Sequence, residues 1–154
     1  GMGGGSTTMA DEMRYRLARL GRPVTTYHDS MLQRMVAATL SPDDVVVVFS
    51  VTGHVPEVID SVTIAREYGA KVIAITAIGS PLAALADVLL PIQAMETDFI
   101  FKPSSSRYAM MMMIDLLATE VALQQADRSK ELLRRIKYVL DAHRGGGNRQ
   151  PLGD

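Results

Sequence analysis

The fold of this 154-residue chain is decided by residues 44–57, which read DVVVVFSVTGHVPE. Residues 45–49 are continuously apolar rather than alternating, which is typical of a central strand that helices cover on both faces. Small and hydroxyl-bearing residues follow at 50–53, and Pro56 suits the first turn of a helix. The stretch therefore predicts a buried parallel strand that passes through a short turn into a helix.

The same alternation extends to both sides of this stretch. Residues 72–76 and 88–92 predict two further buried strands, and residues 24–27, which Pro23 precedes, predict a short one. Strands that alternate with helices are typical of an α/β domain, so we expect a flavodoxin-like three-layer sandwich with a mostly parallel sheet between helices. Helices are predicted at 6–20, 30–40, 56–69, 80–86, 106–125 and 129–143, with Ser6 and Ser30 as the N-caps of the first two.

Composition limits the size, partners and location of the protein. With 47% apolar and 21% charged residues the chain can bury the core of one domain, which we assign to residues 1–143, and the glycine-rich residues 144–154 are predicted to be disordered. A net charge of −1 offers no excess of positive charge to nucleic acid, and the absence of cysteine excludes disulfides and thiol chemistry. No apolar run reaches the roughly 18 residues that span a bilayer, so we expect a cytoplasmic protein without a membrane segment.

The helix predicted at 106–125 is apolar nearly all round between residues 108 and 118, and it includes four consecutive methionines at 110–113. A helix of this kind is buried on more than one side. Four adjacent side chains point in different directions around a helix, so they cannot all face one core. We therefore expect a homodimer or tetramer in which methionines of this helix contribute to the interface.

Two turns have the composition of phosphate-binding loops. They are residues 3–7, GGGST, and residues 50–54, SVTGH. Glycine lets the backbone approach an anion closely, the first amides of a helix point toward it, and hydroxyl groups add donors. The alternative is plain turn geometry, since glycine and serine are the usual loop residues. No predicted strand precedes the first turn, so we expect a further strand ahead of it.

The opening stretch resembles the S-x-S-G-x-T-x-E phosphate loop of sugar isomerase (SIS) domains. Ser50, Gly53 and Glu57 match the motif, and Thr52 replaces its second serine conservatively. Val55 stands where the motif has threonine, which removes a hydroxyl donor and a helix cap. The resemblance implies that the loop holds the phosphate of a sugar phosphate.

Further segments are similar to one branch of this family, the effector domains of RpiR-type transcriptional regulators. Residues 3–6 are similar to the family's first glycine-serine turn, and residues 70–76, 80–83 and 86–90 look like the segments that follow the loop in the regulators. The resemblance implies a sugar-phosphate-sensing module that uses no cofactor or metal and lacks the regulators' helix-turn-helix domain. The expected ligand-binding residues are Gly4, Gly5, Ser6, Ser50, Val51, Thr52, Gly53, His54 and Ser105.

A stand-alone aldose-ketose phosphate isomerase is the alternative function, and it requires an acid/base group beside the sugar. His28 is a candidate ring-opening base or a strand-end residue held by local hydrogen bonds. Glu96 is a candidate contact to a sugar hydroxyl or a solvated loop charge, and Glu57 also suits the positive end of a helix dipole. None of these residues forms a convincing acid/base pair, so a noncatalytic sensor is our leading hypothesis.

Two further features leave their roles open. His54 either donates to the phosphate or is an exposed loop histidine without a role. Residues 104–107, SSSR, either place hydroxyls and the Arg107 guanidinium near a ligand, or contain Ser106 simply as a helix cap. A nucleotide-binding module fits less well, because the turns lack both the G-x-G-x-x-G spacing and the lysine of a P-loop.

Overall fold

The computed structural model describes residues 1–93 and 105–144. Its sheet has three parallel strands in the order β1-β2-β3, which are β1 Val45–Ser50, β2 Lys71–Ala77 and β3 Val88–Ile92. The strands therefore form where the apolar runs predict them. The helices are α1 Gly4–Arg19, α2 Ser30–Ala37, α3 Pro56–Glu67, α4 Pro81–Ala84, α5 Ser105–Gln124 and α6 Ala126–His143.

Alternate side chains of the strands pack into two cores, one on each face of the sheet. Phe49 and Ile75 pack with α1 and α5 in the first core, where Phe49 is only 1% exposed. Val48 and Ala74 pack with α3 and α4 in the second core. A smaller cluster around Ala37 joins α2 to α3. Helices thus cover both faces of a parallel sheet, which confirms the predicted three-layer α/β sandwich.

The first two helices begin differently from the prediction. α1 starts before Ser6, so this serine lies inside the first turn and does not cap it. α2 is capped by Asp29, whose carboxylate accepts a hydrogen bond from the Leu32 amide at 2.8 Å, and not by Ser30. A carboxylate at this position also interacts favourably with the helix dipole, which explains the choice of aspartate over serine.

The strand predicted at residues 24–27 is wrong. Within the described residues this segment pairs with no strand, and its polar groups bond to helices instead. The Thr26 hydroxyl donates to the Asp11 carboxylate at 2.8 Å, and the Gln33 side chain donates to the Tyr27 carbonyl at 2.7 Å. In the described sheet β2 is central and β1 lies at an edge, so the expectation of a central β1 is corrected as well.

The four methionines of α5 divide between the core and the surface. Met110 is 1% exposed in the first core, whereas Met112 is 55% exposed. Met111 and Met113 are partly buried at the margin of that core. This arrangement confirms that the methionines do not share one environment.

Three helix boundaries differ from the sequence prediction, and the structure bears on two further expectations, the membrane segment and the tail. α2 and α4 end earlier than predicted, and α6 begins at Ala126 rather than Ser129. Among the described helices none combines the length and apolar character needed to cross a membrane. The predicted disordered tail lies outside the described residues from position 145 onward.

Candidate phosphate site

The candidate site lies at the edge of the sheet where the strands have their carboxyl ends. β1 ends at Ser50 and α3 begins at Pro56, so residues 51–55 form the connecting loop. Val51 of this loop packs against the core that also contains Met9 of α1 and Met110 of α5. The loop, α1 and α5 therefore share one core through Val51. Open α/β sheets bind their ligands at this edge.

The buried half of the loop is held by its own hydrogen bonds. Ser50 is 3% exposed, and its hydroxyl oxygen accepts from the Gly53 amide at 3.1 Å. The Gly53 carbonyl accepts from the Leu82 amide at 3.2 Å, which ties the loop to α4. The Ser50 hydroxyl hydrogen remains available for donation, but the Gly53 amide is already used within the loop. These two residues therefore set the shape of the loop.

Glycine is required at position 53 because the backbone there is left-handed, with φ of 70°. A Cβ at this position would collide with the Ser80 side chain and lie 2.6 Å from the Thr76 hydroxyl oxygen. The Ser80 hydroxyl is itself engaged as the cap of α4, where it accepts from the Ala83 amide at 3.2 Å. The loop thus lies directly against the ends of β2 and α4.

Thr76 is a residue of the site region that the sequence-based prediction missed. It is completely buried beneath Gly53, and its hydroxyl has no hydrogen-bond partner among the described residues. In the register Thr76 lies beside Ser50, so two neighbouring strands carry a hydroxyl at the same position. That repeated hydroxyl at two predicted strand ends is the sequence signal that could have found it.

The exposed half of the loop contains Thr52 and His54. The His54 Nδ1 atom lies 2.7 Å from the Thr52 carbonyl oxygen. Because a carbonyl only accepts, Nδ1 carries the hydrogen and Nε2 is the ring nitrogen left for another partner. The loop itself therefore orients the histidine, as a ligand-binding residue would require, although an exposed histidine without a role would show the same bond.

The start of α1 offers amides without a side-chain cap. Gly3 is the N-cap residue and makes no capping hydrogen bond through a side chain, so the first amides of the helix, from Gly4 to Ser6, have no intrahelical partner. A cavity of about 100 Å³ opens here, lined by Gly4, Gly5, Thr8, Met9 and Arg107. No residue of the loop at 50–54 is among those that line this cavity.

Arg107 brings a positive charge to these amides from the first turn of α5. A Cβ placed on Gly5 would lie 3.0 Å from Arg107 Nε, so glycine is what lets the guanidinium approach the α1 backbone. Within residues 1–93 and 105–144 Arg107 forms no ion pair with a carboxylate. Its neighbour Ser105 has a buried hydroxyl without a hydrogen-bond partner in the same ranges. The structure thus places Gly4, Gly5 and Arg107 around one helix start, while Ser105 does not line the cavity there.

Of the candidate catalytic residues, His28 contacts α1 at Asp11, which is not among the residues that line this cavity. His28 Nε2 lies 3.2 Å from the Asp11 carboxylate, and its Nδ1 is buried without a hydrogen-bond partner in the described chain. The hydrogen bond from Thr26, and then those from His28 and its charge, lower the pKa of Asp11. Glu57 lies in the first turn of α3, and Glu96 falls outside the described residues. No cluster of His, Cys, Asp or Glu in the described ranges is suited to hold a metal ion.

Fold and site together define a parallel α/β domain with a candidate anion site at the carboxyl edge of its sheet. The family model described as the SIS domain matches residues 2–120. The chain therefore belongs to the SIS domain family, as the resemblance of its loop predicts.

The relatives include transcriptional regulators. The HTH-type transcriptional regulator HexR of Pseudomonas aeruginosa is 36% identical over 137 residues, which cover 89% of this chain and 48% of HexR. The chain thus spans about half the length of this curated relative. This similarity confirms the predicted relation to RpiR-type regulators.

Solved structures share the fold over most of the chain. The NanR protein of Vibrio vulnificus, complexed with ManNAc-6P, superposes with a TM-score of 0.78 at 22% identity, covering 92% of this chain and 54% of NanR. The sugar isomerase domain of an RpiR transcription factor from Sphaerobacter thermophilus gives a TM-score of 0.74 at 25% identity, covering 88% of this chain and 74% of that domain.

Proposed function

We propose that this protein binds a phosphorylated sugar at the carboxyl edge of its sheet and acts as the ligand-sensing module of an RpiR-type regulator. The observation that carries the proposal is the uncapped start of α1, with the Arg107 guanidinium lying against Gly5. Free amides and a guanidinium converge there on one small cavity. A phosphate dianion would satisfy the amides and neutralise the guanidinium in one event.

The loop after β1 would complete the site from the other side. Thr52 and His54 are its exposed polar residues, and the Ser50 hydroxyl hydrogen is still free to be donated. In this arrangement the α1 start and Arg107 hold the phosphate, and the exposed loop residues contact the ester or the sugar. Binding would draw the loop and two helices together, which gives a sensor a way to couple ligand to shape.

We also propose that the protein works as a homodimer or tetramer in the cytoplasm. α5 exposes a row of apolar side chains one or two turns apart, beginning with Tyr108 at 75% exposed and continuing through Met112 and Leu116 to Leu123. A row of this kind on one helix supports an interface between copies of the chain. A ligand held at the first turn of α5 would then act directly on a helix of the interface.

A thermal shift assay with hexose and pentose phosphates, each paired with the same sugar lacking phosphate, tests the proposal. At a hundredfold excess over Kd a ligand stabilises the native state by about 2.7 kcal/mol, so a true ligand is visible. Only phosphorylated sugars should raise the Tm. Arg107→Ala should weaken binding about 10- to 100-fold, since a hydrogen bond to a charged group contributes about 1.5–3 kcal/mol.

Arg135→Ala is the matched control, because Arg135 lies on α6 and pairs there with Glu131. It removes the same positive charge from the protein without touching the site, so its affinity should equal that of the parent chain. Ser50→Ala tests the loop separately. An absence of any shift with every phosphorylated sugar would refute the proposal, and so would equal losses in Arg107→Ala and Arg135→Ala.

Aldose-ketose isomerisation is the second candidate function, and the Asp11–His28 pair is the observation that favours it. The Asp11 carboxylate fixes the imidazole through one ring nitrogen, and the other nitrogen is buried without a partner in the described chain, so proton transfer to a sugar requires that nitrogen to become accessible. Turnover of a phosphorylated sugar that is lost in His28→Ala, and retained in the control His143→Ala, would raise this function above sensing. Binding without turnover would leave the sensor as the function.

A further inference from the structure

Thr76 carries a buried hydroxyl that the proposed phosphate site leaves unused. The residue lies near the end of β2 and is 0% exposed, and its Oγ1 atom has no hydrogen-bond partner within residues 1–93 and 105–144. A buried hydroxyl without a partner destabilises a protein, because it has given up its bonds to water without replacement. The hydroxyl therefore needs a reason other than the stability of the arrangement that the structure shows.

Packing does not require a hydroxyl at this position. Alternate residues of a strand share a face, and Val72 and Ala74, which precede Thr76 on its face of β2, are apolar, 0% exposed and part of the second core. Valine has nearly the shape of threonine and suits a buried strand equally well, and it has no polar group to leave unpaired. What threonine adds at this position is the hydroxyl alone.

Gly53 lies among three hydroxyl groups, those of Ser50, Thr76 and Ser80. Ser50 is the neighbour of Thr76 in the register of β1 and β2, and a Cβ on Gly53 would collide with Ser80. The Ser50 and Ser80 oxygens each accept from a backbone amide, of Gly53 at 3.1 Å and of Ala83 at 3.2 Å. Thr76 is the hydroxyl of this group whose oxygen accepts nothing in the described chain. A second acceptor for a loop amide therefore lies beside the first.

The Gly53 backbone is close enough to Thr76 to use this second acceptor. A Cβ placed on Gly53 would lie 2.6 Å from Thr76 Oγ1, and a carbon–carbon bond is about 1.5 Å, so the Gly53 Cα lies within roughly 4 Å of that oxygen. No side chain at position 53 separates the backbone from the hydroxyl, because the residue is glycine. A small shift of the peptide would bring its amide into hydrogen-bonding range of Thr76.

Binding of an anion by Ser50 would break the bond that now holds the Gly53 amide. Ser50 is 3% exposed and its oxygen accepts from that amide, so its hydroxyl reaches an anion outside the loop only by turning to another rotamer. The rotation takes the oxygen away from the amide. Because Gly53 is buried, its amide would then lack an acceptor, which costs about as much as a lost hydrogen bond. Binding by Ser50 therefore needs a replacement acceptor for this amide.

We propose that Thr76 is the positioning residue that provides this replacement. When Ser50 turns its hydroxyl to the phosphate, the Gly53 amide moves from the Ser50 oxygen to the Thr76 oxygen. Thr76 thus acts on the ligand through Ser50 and does not touch it. Its unpaired hydroxyl lowers the stability of the arrangement that the structure shows and stabilises the arrangement that binds the anion. The inference rests on the phosphate site of the proposed function and gives the loop a second arrangement within that site.

Thr76→Val tests both halves of the inference, with inorganic phosphate as the probe. Without phosphate the variant should raise the Tm by about 2–6 °C, because it removes the unpaired hydroxyl and keeps the shape of the side chain. Its Kd for phosphate, measured by a phosphorus NMR titration, should rise about 3- to 10-fold, the effect of one hydrogen bond. Thr76→Ser should bind phosphate within about twofold of the parent chain, because serine keeps the hydroxyl oxygen.

A double-mutant cycle with Ser50→Ala separates this mechanism from a general effect on the loop. Since Thr76 acts through Ser50, Thr76→Val should weaken phosphate binding in the parent chain and leave it unchanged in the Ser50→Ala background. With phosphate bound, the Gly53 amide should exchange at least about 10-fold faster in Thr76→Val than in the parent chain. Thr63→Val is the control and should leave the Kd unchanged, because the Thr63 hydroxyl is exposed on α3 and donates to the Ile59 carbonyl at 2.9 Å.

Equal Kd values for phosphate in the parent chain and Thr76→Val would overturn the inference and leave the proposed function in place. Equal losses of affinity from Thr76→Val in both backgrounds would also overturn it, since Thr76 would then act independently of Ser50, and so would a lower Tm in Thr76→Val. A parent chain that binds neither phosphate nor any phosphorylated sugar would refute the proposed function and the inference together. A higher Tm with a weaker affinity that depends on Ser50 would support the inference.

Discussion

Replacement of Gly53 by alanine should destabilise the domain through two separate effects. The backbone at this position has φ of 70°, and a left-handed conformation costs a residue with a Cβ about 1–2 kcal/mol. The new methyl group would also collide with Ser80 and lie 2.6 Å from the Thr76 hydroxyl oxygen, and overpacking of this kind costs about 1–3 kcal/mol. Together the two effects predict a loss of about 2–5 kcal/mol.

Gly79→Ala is the matched control for this prediction. Gly79 has φ of 75°, but nothing lies within 4 Å of a Cβ placed there, so alanine adds backbone strain without a collision. At roughly 3 °C per kcal/mol, Gly53→Ala should lower the Tm by roughly 6–15 °C and Gly79→Ala by roughly 3–6 °C. Thermal and urea unfolding followed by far-UV circular dichroism measure both, and the difference between them isolates the collision.

Equal Tm losses in the two variants would refute the close packing of the loop against β2 and α4. A Gly53→Ala protein as stable as the parent chain would refute the left-handed backbone as well. If the loop also shapes the phosphate site, then Gly53→Ala should lose affinity for a phosphorylated sugar while Gly79→Ala keeps it.

Three further predictions concern a helix cap, an exposed carboxylate that accepts from a strand amide, and the core. Asp29→Ala should lower the free energy of unfolding in urea by about 1 kcal/mol, and Ser30→Ala by much less, because the aspartate caps α2. Equal losses in the two variants would contradict Asp29 as the cap. The hydrogen bond from the Val72 amide is the main cause that lowers the pKa of Asp87, and the charges of Lys71 and Arg66 lower it further. The contribution of Asp87 to stability is therefore present near neutral pH and is lost as the pH falls through its folded-state pKa. Asp87→Asn should therefore flatten the decline of the urea midpoint between about pH 5 and pH 2, and an unchanged decline would contradict this assignment. Ile114→Ala, at a position that is 0% exposed, should cost about 2–5 kcal/mol with no change in the dependence on pH.

The sequence predicts the strands well because their signal is local. Residues 45–49, 72–76 and 88–92 are apolar runs too short for a buried helix and are bounded by turn residues, so composition alone places β1, β2 and β3. Residues 24–27, which read VTTY, are also β-branched or aromatic, yet they form no strand in the described sheet. A strand needs a partner on at least one side, and no local pattern states whether the partner is present.

In the candidate site, too, the local sequence predicts some features and the tertiary structure decides the others. The loop motif identifies Ser50, Gly53 and the family, because the glycine and hydroxyl positions are fixed by the turn itself. The motif does not reveal that Ser50 and the Gly53 amide bond to each other, nor that Thr76 lies beneath them. The first fact depends on the conformation of the turn, and the second depends on the register between β1 and β2, which places Thr76 beside Ser50.

The sequence by itself determined the α/β class, the order of the helices and of β1 to β3, and the membership in the SIS domain family, because periodicity and turn chemistry are properties of neighbouring residues. Only the tertiary structure decided that Arg107 lies against Gly5 and that the Thr76 hydroxyl lies beneath Gly53. The approach of α5 to α1 is set by the packing of the first core, which involves residues about a hundred positions apart. Such contacts follow from how the layers stack, and no segment of the chain contains that information alone.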